Sequence, residues 1–273
     1  MLRGECLAKH PHPSPGIPVH RLPSSLFPMT RIQAIFFDAV GTLFDVKGSV
    51  GHIYAQAALG YGVRMDPQPL NRAFYRVFQS AKPMAFPNPN PATLDQEERR
   101  WWQQIVEATL TEMGIDLSAA SEGDSSGFPN FSNYFREVYD LFATADPWQL
   151  YPETIEVLQH LRSQGIPLGV ISNFDSRLLP VLQRLGLRDF FSHVIISTQV
   201  GSAKPEQQVF EKALQAFQIQ PEAALHVGDS HSQDYQGAKQ AGLQALWLQR
   251  DPQPEQPFSP ETIRDLAGIL RLL

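Results

Sequence analysis

The sequence contains a single cysteine, Cys6, among 273 residues. No intramolecular disulfide can therefore form, and this cysteine content fits a reducing compartment. The chain also lacks an uninterrupted apolar run long enough to cross a bilayer, and its first residues are not followed by the apolar core of a secretory signal. These absences predict a cytoplasmic protein that does not associate with a membrane.

An excess of positive charge is absent as well. The chain has 22 basic and 28 acidic residues, which give a net charge of −6. This balance argues against a nucleic-acid surface, because such a surface needs a clustered positive field. We therefore expect a small-molecule ligand, and we expect the protein to be a monomer or a homodimer.

Proline is not scarce, and it is concentrated near the start of the chain. Six prolines lie among small and polar residues in the first thirty positions: Pro11, Pro13, Pro15, Pro18, Pro23 and Pro28. Such a composition buries too little apolar surface to offset chain entropy, so residues 1–30 are predicted to be a disordered tail. Translation could also begin at Met29, immediately before the first predicted strand.

The stretch around which the chain is organised begins at residue 32. Residues 32–37 are mostly apolar and rich in β-branched and aromatic side chains, which predicts a buried strand of a parallel sheet. The run ends at Asp38, and Gly41 then permits a tight turn. Open α/β sheets bind ligands at the carboxyl ends of their strands, so Asp38 is a candidate nucleophile that would form a covalent aspartyl intermediate. The alternative is an aspartate that only caps a turn.

Polar residues also end two later predicted strands. Ser172 ends one of them, and its hydroxyl could bind a phosphoryl oxygen. Lys204 precedes a predicted helix and supplies a cation. Asp229 ends another strand and is followed by Asp234, and such carboxylates suit a hard cation such as Mg²⁺. Asp234 could instead serve only as the N-cap of a helix.

The rest of the sequence separates into a helical stretch and a regular alternation. Between residues 46 and 147, apolar residues recur at helical spacing in four stretches joined by polar, proline-rich segments, notably residues 83–91 and 118–130. From Pro152 onward, helix and strand patterns alternate, which predicts a parallel sheet with right-handed crossovers. Residues 260–272 carry an apolar stripe that predicts a closing helix.

The order of Asp38, Ser172, Lys204 and then Asp229 with Asp234 resembles the four motifs of the haloacid dehalogenase-like hydrolase superfamily. The resemblance extends from residue 31 to about residue 242. It implies an α/β fold, in which a Rossmann-like parallel sheet has helices on both faces and an α-helical cap is inserted after the first motif. The core would then comprise residues 31–45 and 148–273, and the cap residues 46–147.

The resemblance also implies a role for each motif. Asp38 would be the nucleophile that becomes phosphorylated. The transferring group would be held by Ser172 and Lys204, together with Thr42 and Asn173.

A magnesium ion is implied in the same way. Its ligands would be Asp38, the backbone carbonyl of Val40, and Asp229. Asp234 matches the second acid of the fourth motif, which is either a further metal ligand or an orienter of Lys204.

Val40 is where the sequence departs from the family pattern. Most phosphatases that it resembles have a second aspartate there, which serves as general acid and base, whereas the dehalogenases have tyrosine and the phosphonoacetaldehyde hydrolases alanine. The departure leaves the fold unaffected and puts the reaction in question. Three nearby polar residues could replace the missing group: Asp45, Lys47 and His52.

Three functions therefore remain open. The first is Mg²⁺-dependent, phosphatase-type cleavage of a small phosphorylated metabolite. The second is a dehalogenase, in which Asp38 attacks carbon without a metal, although the paired Asp229 and Asp234 count against it. The third is a protein that binds Mg²⁺ or phosphate with little turnover. No readable code in the predicted cap identifies the substrate.

Overall fold

The computed structural model describes residues 31–117, 128, 130–251 and 260–272. The predicted disordered tail, residues 1–30, lies outside the described residues, and so does Met29. Most of the predicted loop at 118–130 lies outside them too, as do residues 252–259.

A six-stranded parallel sheet forms the centre of the molecule, with the strand order β5-β4-β1-β6-β7-β8. A separate antiparallel pair joins β2 to β3. The strand bounds are β1 Ala34–Phe37, β2 Phe44–Val46, β3 Trp148–Leu150, β4 Leu168–Ser172, β5 His193–Ile196, β6 Ala224–Gly228, β7 Gln244–Leu248 and β8 Thr262–Ile263.

Helices precede or follow the parallel strands, and four of those described lie between β2 and β3. These four are α1 Val50–Leu59, α2 Pro67–Ser80, α3 Leu94–Glu112 and α4 Phe131–Leu141. The others are α5 Thr154–Ser163, α6 Leu178–Arg184, α7 Ser197–Val200, α8 Gln207–Phe217 and α9 Gly237–Gln240. The helical spacing of the sequence between residues 46 and 147 is thus matched by helices, while the division of the chain into a core and a cap stays a prediction. None of the described helices has both the length and the apolar character that a membrane crossing requires.

Strand β1 shows why the sheet is covered on both faces. All four of its residues are buried, and alternate side chains point to opposite faces. Ile35 and Phe37 join the apolar core that includes α5 and α6, whereas Ala34 and Phe36 join the core formed with α8. The continuous apolar run therefore fits a central strand with helices on either side.

The predicted closing helix at residues 260–272 is wrong. Thr262 and Ile263 instead extend the sheet as β8, because Gln249 and Trp247 donate backbone hydrogen bonds to the carbonyls of Ile263 and Glu261. Only Leu266–Arg271 is helical, as a short 3₁₀-helix. Pairing at the sheet edge thus prevails over the helical spacing of the apolar residues.

A buried polar cluster joins α3 to the segment that follows β4. Glu98 of α3 is fully buried, and its Oε1 accepts hydrogen bonds from the backbone N–H and the hydroxyl of Ser176, at 3.0 and 2.9 Å. The hydroxyl of Thr198 donates to the same oxygen at 2.5 Å. Burial raises the pKa of Glu98, although these donors oppose the shift. The cluster holds the segment after Ser172 against the helices.

A buried ion pair in the same segment strengthens this contact. Arg177 donates to both carboxylate oxygens of Asp175, at 2.9 and 2.6 Å. It also donates to the backbone carbonyl of Tyr139 on α4, and the indole N–H of Trp102 donates to Asp175. Helices α3 and α4 therefore both contact the segment that leads away from strand β4.

Candidate active site

Three predicted site residues lie at the carboxyl ends of neighbouring strands. Asp38 directly follows β1, Ser172 is the last residue of β4, and Asp229 directly follows β6. Because β4, β1 and β6 are adjacent and parallel, their carboxyl ends meet at one edge of the sheet. The fold thereby brings together side chains that are up to 191 positions apart in the sequence.

Lys204 lies between two carboxylates. Its Nζ is 2.6 Å from Asp38 Oδ1 and 2.6 Å from Asp234 Oδ1, and all three side chains are largely buried. Burial opposes the charge of the ammonium, but Asp234 and Asp38 outweigh it and raise the pKa of Lys204. The lysine therefore stays charged beside Asp38, where it can neutralise negative charge.

The two carboxylates respond differently to this lysine. Burial raises the pKa of Asp38, and the ammonium of Lys204 only partly opposes that shift. Burial acts in the same direction on Asp234, but Lys204 and His226 outweigh it and lower the pKa of Asp234. Asp234 is accordingly the more firmly ionised partner of the lysine.

Asn173 fixes the backbone at Lys204. Its side-chain oxygen accepts from the Lys204 backbone N–H at 2.7 Å, and its amide nitrogen donates to the Lys204 carbonyl at 2.8 Å. The same nitrogen lies 3.2 Å from Gln233 Oε1. The structure thus places Asn173 at the site with its side chain bonded to the protein, where it positions Lys204.

Two glycines make room for the acidic side chains. Gly41 has a φ of +84°, and a Cβ there would lie 2.5 Å from Asp229 Oδ2. A Cβ on Gly228 would lie 2.2 Å from Asp234 Cγ. Any side chain at either position would displace a carboxylate, so both glycines are required for the acidic cluster.

Among the described residues, Asp38, Asp229 and Asp234 can bring one carboxylate oxygen each within 4.8 Å of one another. Partial removal from water, together with the negative charges of Asp38 and Asp234, raises the pKa of Asp229 to about 7. One lysine cannot balance three carboxylates at such short range. The oxygen donors and their excess negative charge therefore fit a hard divalent cation.

Both carboxylate oxygens of Asp234 accept hydrogen bonds from the protein. Its Oδ1 accepts from Lys204, and Nε2 of His226 lies 3.0 Å from the same oxygen. Its Oδ2 accepts from the backbone N–H of Ser230 at 2.9 Å. The alternative of a helix N-cap at Asp234 is wrong, because Ser230 caps the following π-helical turn by accepting from the Gln233 N–H.

Arg250 is a supporting residue that the sequence analysis missed. Its guanidinium donates to the backbone carbonyls of Gly41 and Thr42, at 3.2 and 2.8 Å, and forms an ion pair with Glu153 at 2.8 Å. Thr42 itself is fully buried, and its hydroxyl has no hydrogen-bond partner among the described residues. Arg250 thus holds the turn after Asp38 through two of its backbone carbonyls.

The three residues considered as replacements for the acid missing at position 40 lie in different places. Asp45 lines a cavity of about 350 Å³ that also contacts Asp229, and it accepts a hydrogen bond from the Tyr151 hydroxyl at 3.0 Å. His52 lines a separate cavity of about 180 Å³, and Lys47 is exposed. Of the three, only Asp45 shares a cavity with a residue of the acidic cluster.

The parallel sheet thus gathers an aspartate, a lysine and two further carboxylates at its carboxyl edge. A family model described as haloacid dehalogenase-like hydrolase matches residues 32–242. The chain therefore belongs to the haloacid dehalogenase-like hydrolases.

Relatives with known names agree with this assignment. The haloacid dehalogenase-like hydrolase domain-containing protein 3 of Mus musculus is 31% identical over 79% of this chain and 81% of its own length. The phosphoserine phosphatase of Thermus thermophilus is 35% identical over 54% of this chain and 58% of its own length.

Solved structures share the fold. A phosphatase of the same family from Thermococcus onnurineus superposes with a TM-score of 0.60 at 22% identity and covers 88% of this chain and 97% of its own. The L-2-haloacid dehalogenase from Xanthobacter autotrophicus superposes with a TM-score of 0.64 at 18% identity, and the match covers 88% of this chain and 98% of that protein. Because both kinds of enzyme have this fold, the fold does not choose between phosphatase and dehalogenase chemistry.

Asp229→Asn should raise the free energy of unfolding at pH 8 in metal-free buffer and leave it near the wild-type value at pH 4. A pKa raised to about 7 means that folding favours the protonated carboxyl, so the wild type loses stability as the pH rises from about 4 through about 7. Asparagine stays neutral throughout. Because Asp229 is exposed and screened by solvent, we expect a difference of about 1 kcal/mol at pH 8.

Urea denaturation at both pH values measures this difference. Asp146→Asn is the matched control, since Asp146 is an exposed aspartate outside the acidic cluster, and it should follow the wild type. The free energy of unfolding of Asp229→Asn could instead change between pH 4 and pH 8 by the same amount as that of the wild type. Ionisation of Asp229 would then not destabilise the folded protein.

Proposed function

We propose that the protein is a Mg²⁺-dependent, phosphatase-type hydrolase that cleaves a small phosphorylated metabolite through an aspartyl-phosphate on Asp38. The observation that carries the proposal is the buried Lys204 ammonium, 2.6 Å from Asp38 Oδ1, at the edge of an acidic cluster with excess negative charge. The relative named as a phosphoserine phosphatase supports the same chemistry.

The first step forms the aspartyl-phosphate. A carboxylate oxygen of Asp38 attacks phosphorus, the new O–P bond forms, and the ester P–O bond breaks. The leaving oxygen takes up a proton from water, since Val40 supplies none. Lys204 neutralises charge on the transferring group, and the hydroxyls of Ser172 and Thr42 bind its oxygens. The buried Thr42 hydroxyl, unpartnered among the described residues, supports that role. Water then attacks the aspartyl-phosphate, releases inorganic phosphate and restores the carboxylate.

The acidic cluster supports a proposal for the cation's ligands. Asp38, Asp229 and the backbone carbonyl of Val40 would hold Mg²⁺, which when bound supplies charge neutralisation at the phosphoryl group. The resemblance allows Asp234 to be either a further ligand or an orienter of Lys204, and its two oxygens already accept hydrogen bonds from Lys204, His226 and Ser230. We therefore assign Asp234 to orienting Lys204.

The dehalogenase alternative agrees less well with the site. Attack of Asp38 on carbon needs no cation. A dehalogenase would therefore have no need for the carboxylate of Asp229, whose pKa is raised by burial and by the negative charges of Asp38 and Asp234. Reduced turnover follows more directly from the sequence, because a positioned acid or base contributes ~10²–10⁴-fold and Val40 supplies neither. We therefore expect turnover to be fastest on phosphates with good leaving groups.

Two further predictions made from the sequence remain proposals: a cytoplasmic location and a monomeric or homodimeric state. Both are compatible with a small-molecule hydrolase.

Asp38→Asn should reduce phosphate release to the background rate, because the amide keeps the shape of the side chain but is a poor nucleophile. The wild type should depend on Mg²⁺ and lose turnover when EDTA is added. Both effects are measured as inorganic phosphate released from a panel of phosphorylated metabolites and acetyl phosphate, with and without Mg²⁺.

Asp146→Asn is again the matched control and should keep the wild-type rate. An Asp38→Asn protein with full activity would contradict the proposal, and so would wild-type turnover that is indifferent to EDTA. Halide release from a 2-haloacid by the metal-free wild type would favour the dehalogenase alternative.

Val40→Asp should speed the hydrolysis of unactivated alkyl phosphates. Aspartate is no larger than valine, so the change restores a carboxylate without overpacking. A gain within the ~10²–10⁴-fold range of general acid–base catalysis is expected on alkyl phosphates. The gain on aryl or acyl phosphates should be smaller, because their leaving groups need less protonation.

Val40→Asn is the control, since asparagine has the shape of aspartate but cannot transfer a proton. Melting temperatures and Mg²⁺ binding must first show that both variants are folded and bind the cation. Equal rates for Val40→Asp, Val40→Asn and the wild type on alkyl phosphates would show that position 40 is not what limits turnover.

A further inference from the structure

His226 is a buried histidine that the proposed reaction does not use. It lies in the middle of β6, has no exposed surface, and packs edge-to-face against Phe210 with ring centroids 5.5 Å apart. Its Nε2 is 3.0 Å from Asp234 Oδ1. The same carboxylate oxygen accepts the hydrogen bond from Lys204.

The strand geometry explains how the histidine reaches this oxygen. His226 and Gly228 are two residues apart on β6, so they face the same side of the sheet. The space that a side chain at Gly228 would fill is occupied by the carboxylate of Asp234. Asp234 thus lies over Gly228 and contacts the imidazole beside it.

The surroundings of the ring determine which nitrogen carries the hydrogen. Nδ1 is buried and has no hydrogen-bond partner among the described residues, so a hydrogen placed there would be a buried donor without an acceptor. Nε2 faces a carboxylate oxygen, which is an acceptor. The neutral ring with its hydrogen on Nε2 satisfies both conditions, and His226 therefore donates to Asp234.

This hydrogen bond affects Lys204 through the shared oxygen. Lys204 Nζ is equally close to Asp234 Oδ1 and Asp38 Oδ1, at 2.6 Å each. The histidine N–H takes up part of the negative charge on Asp234 Oδ1 and weakens its pull on the ammonium. Without that donor, Asp234 would draw Lys204 toward itself and away from Asp38.

We propose that His226 is a positioning residue that acts through Asp234 to keep the Lys204 ammonium on Asp38. The assignment rests on the proposed phosphatase-type function, and two residues, Asp234 and Lys204, separate the histidine from Asp38. Loss of the donor should therefore lower kcat more than it changes KM, because the charge that Lys204 neutralises on the phosphoryl group develops as that group is transferred.

Three substitutions separate the hydrogen bond from the packing. In His226→Gln the amide nitrogen can occupy roughly the place of Nε2, whereas in His226→Asn it reaches only the place of Nδ1. His226→Leu fills the volume without any donor. His193→Leu is the matched control, since His193 is an exposed histidine on β5.

Steady-state kinetics with acetyl phosphate and Mg²⁺ provide the first readout. His226→Leu and His226→Asn should lower kcat by about 10–100-fold, the usual effect of removing an outer hydrogen-bond partner, with KM changed by less than about threefold. His226→Gln should retain kcat within about threefold of the wild type, and His193→Leu should match it. An equal loss of kcat in all three His226 variants would reduce the histidine to a packing residue and overturn the proposal.

Crystal structures of the wild type and the variants provide a readout that does not need activity. In His226→Asn the Lys204 Nζ should lie beyond hydrogen-bond distance from Asp38 Oδ1, and in His226→Gln it should remain in contact. If His226→Leu does not fold, the comparison of His226→Gln with His226→Asn still tests the proposal. Unchanged Lys204 contacts in a variant without the donor would overturn the proposal. If the wild type hydrolysed none of the phosphates, the proposed function would be wrong. The positions of Lys204 in the crystal structures would still test the role of His226.

Discussion

The site depends on one ammonium group held between two buried carboxylates. Lys204 binds Asp38 and Asp234 at 2.6 Å each, and burial makes each of these charges costly unless it is paired and hydrogen-bonded. The surrounding protein supplies those bonds, because Asn173 holds the lysine backbone and His226 donates to Asp234. This arrangement fixes a positive charge beside Asp38, the proposed nucleophile, before any substrate binds, which is how preorganised sites stabilise developing charge.

The same arrangement leaves negative charge unbalanced. Asp229 lies close to the other two carboxylates, and partial burial together with their negative charges raises its pKa to about 7. Two glycines, Gly41 and Gly228, permit this close approach, since a Cβ at either position would collide with a carboxylate. The fold thus maintains a locally unfavourable cluster that a divalent cation would relieve, a compromise of stability that functional sites commonly show.

The sequence predicted the site residues that lie at the carboxyl ends of strands. Asp38, Ser172 and Asp229 each end a strand, and adjacent parallel strands necessarily bring such residues together. Long-range contacts were not predictable in this way. Arg250 donates hydrogen bonds to carbonyls more than 200 positions earlier in the chain. The spacing of apolar residues in the sequence does not indicate such a contact. Glu98 lies in a charged helical run that looks solvated, yet it is fully buried against Ser176 and Thr198.

The proposed reaction requires that Asp38 becomes phosphorylated, and mass spectrometry after an acid quench can detect that phosphoryl group. The wild type would be mixed with acetyl phosphate and Mg²⁺, quenched during turnover, and digested. Our account predicts the added mass of one phosphoryl group on the peptide that contains Asp38, and its absence when EDTA is present. Sustained phosphate release with no phosphorylated Asp38 peptide, or with the phosphoryl group on another residue, would contradict the account.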